Sequence, residues 1–114
     1  MKVAVAEMIN CAHRLPGTEI HGHTYRVTVE ASGKIGGDHL VIGFELLREH
    51  LKRACRKVDH RQLEDVLGSN PTAESLACWV REQVYGSLAL LTMNSPLSIQ
   101  VRVEVGDDAW VETE

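Results

Sequence analysis

The chain alternates apolar and polar positions near both ends and switches to helical spacing in the middle. Over residues 2–13, Val3, Val5, Ile9, Cys11 and His13 share one face of an extended segment, with Glu7 interrupting the apolar series. The loop Leu15-Pro16-Gly17-Thr18-Glu19-Ile20 carries Pro and Gly and turns the chain. A second strand is expected from about Ile20 to Ala31. It places His21, His23, Tyr25, Val27 and Val29 on one side and Arg26, Thr28 and Glu30 on the other. Ser32-Gly33 and Gly36-Gly37 mark a loose turn, and Leu40-Val41-Ile42 returns as a short strand or an extended lead-in.

Helical spacing follows. Phe44, Leu47, Leu51, Ala54, Cys55 and Val58 form one apolar stripe of a helix about four turns long, ending near Asp59-His60. A turn leads to Gly68-Ser69-Asn70-Pro71. The second helix starts after Asn70, capped either by Asn70 with Pro71 in the first helical position or by Thr72. Leu76, Ala77, Val80 and Val84 line its inner face, flanked by Cys78 and Trp79, and Asn94-Ser95-Pro96 stops it. From Leu97 to Val105 the alternation is regular, and after Gly106-Asp107-Asp108 the segment Ala109–Glu112 pairs back as a hairpin. The order strand, strand, helix, helix, strand, strand predicts an α+β domain over residues 1–114. Its four-stranded antiparallel sheet carries two helices on one face. The other face of so small a sheet is expected to be covered by further subunits, which also protects its edges.

Composition narrows the function. At 114 residues the chain makes one domain, and 44% hydrophobic with 25% charged residues is ordinary for a globular protein. A formal charge of -4 without a basic block argues against nucleic acid as partner. No apolar run is long enough for a membrane span, and the N-terminus lacks the features of a secretory signal. Three cysteines without a C-x-x-C spacing read as free thiols in a reducing cytoplasm.

The chemistry gathers at His21-Gly22-His23, with His13 eight residues earlier. On a strand, His21 and His23 point the same way, roughly 6.6 Å apart. With His13 they make a three-imidazole set that leaves one position of a tetrahedral zinc open, as catalytic sites do. The plain alternative is three ordinary histidines close together in sequence.

Several segments together resemble the 6-pyruvoyl-tetrahydropterin synthase and 6-carboxy-tetrahydropterin synthase family. They are Cys11-Ala12-His13-Arg14-Leu15, His21-Gly22-His23-Thr24-Tyr25-Arg26-Val27, Val41-Ile42-Gly43-Phe44-Glu45-Leu46-Leu47, Val58-Asp59-His60, Asn70-Pro71-Thr72-Ala73-Glu74 and Val101-Arg102-Val103-Glu104. The resemblance implies the tunnelling fold, in which sheets of several subunits join into a barrel and trimers stack as hexamers. It implies zinc on His13, His21 and His23, and 7,8-dihydroneopterin triphosphate as substrate. Asp59 and His60 match the family's proton-transferring pair, and Glu104 matches the glutamate that anchors the pterin ring. On residue type alone, Asp59-His60 reads as a helix end and Glu104 as a solvated strand residue.

Two departures bear on the reaction. The family's usual cysteine, four residues before His-Gly-His, is Gly17 here, and that loop contains no cysteine. Glu19 lies in the same loop, and some family members use a glutamate and release 6-hydroxymethyl-dihydropterin, an aldolase-like outcome. Cys11 lies near the histidines, although a small buried residue is the plainer role. Gly43 stands where the family typically has aspartate. The readings are therefore a zinc-dependent pterin lyase, a variant with the aldolase-like outcome through Glu19, or a zinc- and pterin-binding homologue without turnover.

Overall fold

A computed structural model describes residues 1–14 and 17–114, apart from the side chain of His21. The Leu15-Pro16 part of the expected turn lies outside the described residues. The elements are β1 (Lys2–His13), β2 (His21–Ser32), α1 (Phe44–Arg56), α2 (Glu64–Leu67), α3 (Ala73–Leu88), β3 (Ser98–Val105) and β4 (Ala109–Glu112). The strands form one antiparallel sheet in the order β1-β2-β3-β4, the predicted α+β arrangement.

Strand parity sets the core. Val5, Ile9, Cys11 and His13 of β1 are buried, as are Tyr25, Val27, Val29 and Ala31 of β2 and Ile99, Val101 and Val103 of β3. Both long helices pack on this face, through Leu47, Leu51, Ala54 and Cys55 of α1 and Leu76, Ala77, Val80, Val84 and Leu88 of α3. The opposite face is polar, with Lys2, Arg26, Thr28, Glu30, Gln100, Arg102 and Glu104 along one shallow groove.

Phe44, expected in the apolar stripe of α1, is 60% exposed. It is the first residue of that helix, where the periodic pattern runs one turn past the surface the helix covers. His50 joins the buried face instead, with its Nδ1 2.6 Å from the Ser87 hydroxyl of α3. Leu40-Val41-Ile42 is a lead-in rather than a strand. Thr72, not Asn70, caps α3, its hydroxyl accepting the Ser75 N–H at 3.1 Å. The one-turn helix α2 was not expected, because four residues are too few to show a period.

Between α1 and α2 the chain lies along the free edge of β1. The His60 N–H donates to the Asn10 carbonyl at 2.6 Å and the Ala12 N–H to Arg61 at 3.0 Å. The Leu63 N–H donates to Ala12 at 2.8 Å. One end of this sheet edge is thereby covered, and residues 60–63 are carried to the end of the sheet that holds the histidines.

Candidate functional site

His13 is the last residue of β1 and His21 the first of β2, and the two are register partners. Cys11 faces His23 two pairs further along. The hairpin register therefore brings the three histidine positions to one corner of the sheet. His13 is buried there and His23 half-buried. Their Nε2 atoms stand 3.0 Å apart, with the rings edge to face at 75°. The Nδ1 of His13 lies 2.9 Å from the carbonyl oxygen of Pro71, and the Tyr25 hydroxyl is 3.5 Å from the same nitrogen.

A carbonyl can only accept, so Nδ1 of His13 carries the hydrogen and Nε2 is turned toward His23. Two nitrogens on a tetrahedral ion with bonds of about 2.0–2.1 Å lie about 3.3 Å apart, close to the spacing seen. Metal-binding histidines generally donate one ring N–H to such a carbonyl and leave the other nitrogen for the metal. The spacing of these two nitrogens is thus compatible with a pair of zinc ligands. Among the described residues no three of His, Cys, Asp and Glu stand together as a ligand set. The third candidate, His21, is placed by its backbone alone.

Next to this pair, Asn10, Cys11, Ala12, Gly22, His23, Thr24, His60, Arg61 and Gln62 line an open cleft of about 480 Å³. His23 and His60 therefore share one space. His60 sits in the left-handed region at φ 59°, and its Nδ1 is 3.2 Å from Asp59 Oδ2. The other Asp59 oxygen accepts the Asn10 N–H at 2.9 Å. Asn10 thus clamps both members of the pair through its backbone, its N–H to Asp59 and its carbonyl to His60. Rather than merely ending a helix, Asp59-His60 is a turn docked on the strand, with His60 mostly exposed to the cleft.

Burial, reinforced by the charge of Asp59, pushes the Cys11 thiol up to about 11. Near neutral pH it remains a thiol, as suits a small core residue. Gly17 lies at φ 78°, a conformation that side-chain-bearing residues rarely adopt, so a cysteine there would be strained. Glu19 is exposed in the loop leading into β2.

Glu104 is not brought to this cleft. It pairs with Arg26 on one side and Trp110 on the other, on the polar face of the sheet away from His13 and His23. The Nε atoms of Arg26 and Arg102 both stand 3.8 Å from its Oε1, and the Arg102 guanidinium lies 4.4 Å from the centre of the Trp110 ring. Pro71 and Asn10, which hold the site through backbone atoms, were not singled out from sequence. Pro71 was visible as part of a helix start and of a segment resembling the family, without a role of its own, and Asn10 carried no signal.

The family model for 6-pyruvoyl tetrahydropterin synthase matches residues 2–114. The chain belongs to this family. Among similar proteins is one of Archaeoglobus fulgidus provisionally named 6-carboxy-5,6,7,8-tetrahydropterin synthase. It is 28% identical over 116 residues, covering 98% of this chain and 94% of that protein. The dihydroneopterin monophosphate aldolase of Pyrococcus furiosus is 33% identical over 70 residues, 61% of this chain and 60% of its own. Among solved structures, 6-pyruvoyl tetrahydropterin synthase of Plasmodium falciparum superposes with a TM-score of 0.84 at 20% identity, covering 99% of this chain and 96% of its own. The Caenorhabditis elegans enzyme gives 0.83 at 18% identity, covering 100% and 94%. These likenesses establish the pterin-synthase fold of the single chain. No helix of the described residues is long and apolar enough to cross a membrane.

Proposed function

We propose that this family member is a zinc-dependent pterin lyase acting on 7,8-dihydroneopterin triphosphate, with zinc held by His13, His21 and His23. The observation that carries the reading is the His13–His23 pair, Nε2 to Nε2 at 3.0 Å with the far nitrogen of His13 tied to a carbonyl. Bound zinc supplies Lewis-acid polarisation and a template for the hydroxyls of the substrate side chain.

The protein's own groups do the proton work. Glu19, in the loop that in this chain lacks the family's cysteine, is the base that takes a proton from the side chain of the substrate. His60 returns one across the cleft it shares with His23, and Asp59 orients it by accepting from its Nδ1. Glu104 accepts hydrogen bonds from the 2-amino group and ring N–H of the pterin. Because Glu104 stands on the other face of the sheet, it serves a site of a neighbouring copy, and the active form is a trimer or hexamer acting in the cytoplasm.

A second reading, the aldolase-like release of 6-hydroxymethyl-dihydropterin, is favoured by the likeness to the Pyrococcus aldolase. Solved variants of the Plasmodium vivax synthase replace a catalytic glutamate by alanine or cysteine, which supports a glutamate as base without separating the two outcomes. One incubation separates the readings: zinc-loaded protein with 7,8-dihydroneopterin triphosphate, products identified by mass spectrometry. 6-Pyruvoyl- or 6-carboxy-tetrahydropterin supports the lyase and 6-hydroxymethyl-dihydropterin the aldolase-like outcome. Unchanged substrate that still binds tightly would leave a binding homologue without turnover.

A further inference from the structure

The buried contact between His13 and the start of α3 has a role that the site residues alone do not explain. Pro71 precedes Thr72, the cap of α3, and its carbonyl oxygen lies 2.9 Å from His13 Nδ1 in a buried setting. His13 closes β1, so this hydrogen bond joins two elements 58 residues apart in sequence. The neighbouring cap is firm: the Thr72 hydroxyl accepts from Ser75 N–H, and the Thr72 N–H donates to the Asn70 carbonyl at 2.9 Å. The acceptor is therefore held by the helix start rather than by a mobile side chain. A carbonyl admits only the Nδ1–H form, and that form leaves Nε2 of His13 as an acceptor turned toward His23.

We propose that the Pro71 carbonyl is a positioning group that presets His13 as a metal ligand before any metal arrives. The start of α3 thereby becomes part of the metal site. The inference deepens the zinc reading above and rests on it for the identity of the ion.

Nuclear magnetic resonance of the metal-free protein with ¹⁵N-labelled histidine tests it first, with the His13 signals assigned by their loss in a His13→Gln variant. The expected result is a hydrogen on Nδ1 and none on Nε2 of His13, unchanged when zinc is added. A hydrogen on Nε2 in the metal-free protein overturns the proposal. The second measurement is zinc affinity by competition with a chromophoric chelator after the Pro71–Thr72 amide is replaced by an ester, a poorer acceptor. Loss of such outer partners typically costs 10–100-fold in metal affinity, so a drop of about tenfold is expected. An ester form that binds zinc as tightly as the parent overturns the proposal. Thr72→Pro is the control for general loosening, since like the ester it removes the N–H that donates to Asn70, and with it the capping hydroxyl, but keeps the amide carbonyl of Pro71. It should lower the melting temperature and leave zinc affinity nearly intact, and an equal loss of affinity there would reduce Pro71 to a structural role. Should the parent protein show the expected form of His13 and bind no zinc, the functional reading fails while the Pro71 anchor stands.

Discussion

At the scale of single residues, what the sequence disclosed depended on side chains with a distinctive chemistry. His13, His21 and His23 stood out because strand alternation gives two histidines two apart a common face, and the hairpin register does align them with β1. The partners that fix His13, Asp59 and His60 were not legible. Pro71 and Asn10 act through backbone atoms, which every residue possesses, so no residue type marks them. The proposed reaction is tested at the same scale. With Gly17 in a left-handed turn and the Cys11 thiol kept protonated, Glu19 is the loop residue proposed above as the base. Glu19→Ala is expected to lower kcat by about 10²–10⁴-fold, the usual worth of a general base, while pterin binding measured by fluorescence quenching changes little. Turnover within a few-fold of the parent would move the base work to His60.

At the scale of elements, long periodic segments were readable, and a short one only where a turn announced it. The strands β1, β2 and β3 and both long helices follow from their periods, and β4 from the Gly106-Asp107-Asp108 turn before it. The one-turn α2 did not, and the exposure of Phe44 depends on where the sheet ends, which no helical period encodes. Gly43, the departure from the family's aspartate, proves to be the N-cap of α1. It has extended backbone and no capping side chain, and nothing lies within 4 Å of where a Cβ would be. Gly43→Asp should therefore stabilise the fold by about 0.5–1 kcal/mol, through a cap, the helix dipole and a stiffer unfolded chain. In a chain of this size that corresponds to a rise in melting temperature of about 3–5 °C, readable by calorimetry.

The contact between α1 and α3 also carries a pH dependence. Burial, and secondarily the charge of Arg53, lowers the pKa of His50, with Glu49 opposing. Lys57, Gln83 and Ser87 complete its surroundings. A histidine harder to protonate when folded binds more protons when unfolded. Its contribution to stability is therefore present above the unfolded value of about 6.5 and lost as pH falls below it. The denaturant midpoint should drop between about pH 7.5 and about pH 5.5, a window straddling that value, and drop less in His50→Gln, which can still bond Ser87. Equal slopes in the two proteins would show that another group is responsible.

At the scale of the whole molecule, the single chain divides its candidate machinery between two faces. His13, His23, Asp59 and His60 gather at one corner, where His60 shares a cleft with His23 and backbone bonds to Asn10 hold both Asp59 and His60. Glu104 lies across the sheet among Arg26, Arg102 and Trp110. Sequence alternation predicted this polar placement, and it could not say what meets the face, since an assembly leaves no periodic trace in a single chain. If Glu104 anchors a pterin that the histidines of another copy act upon, each working site draws on two chains. A His13→Ala chain then lacks its own metal site but still offers Glu104, and a Glu104→Ala chain has the reverse defect. Each variant alone should be nearly inactive. Unfolded together and reassembled in equal amounts, a site has an intact His13 half the time and an intact Glu104 from its neighbour half the time. Random mixing across such an interface thus restores about one quarter of parental activity. Within a single chain the two lesions would never be separated from a working partner group, and mixing would restore nothing. Recovery near a quarter therefore places Glu104 in trans to the histidines, whereas no recovery alongside normal assembly in sizing chromatography would return Glu104 to an ordinary solvated strand position.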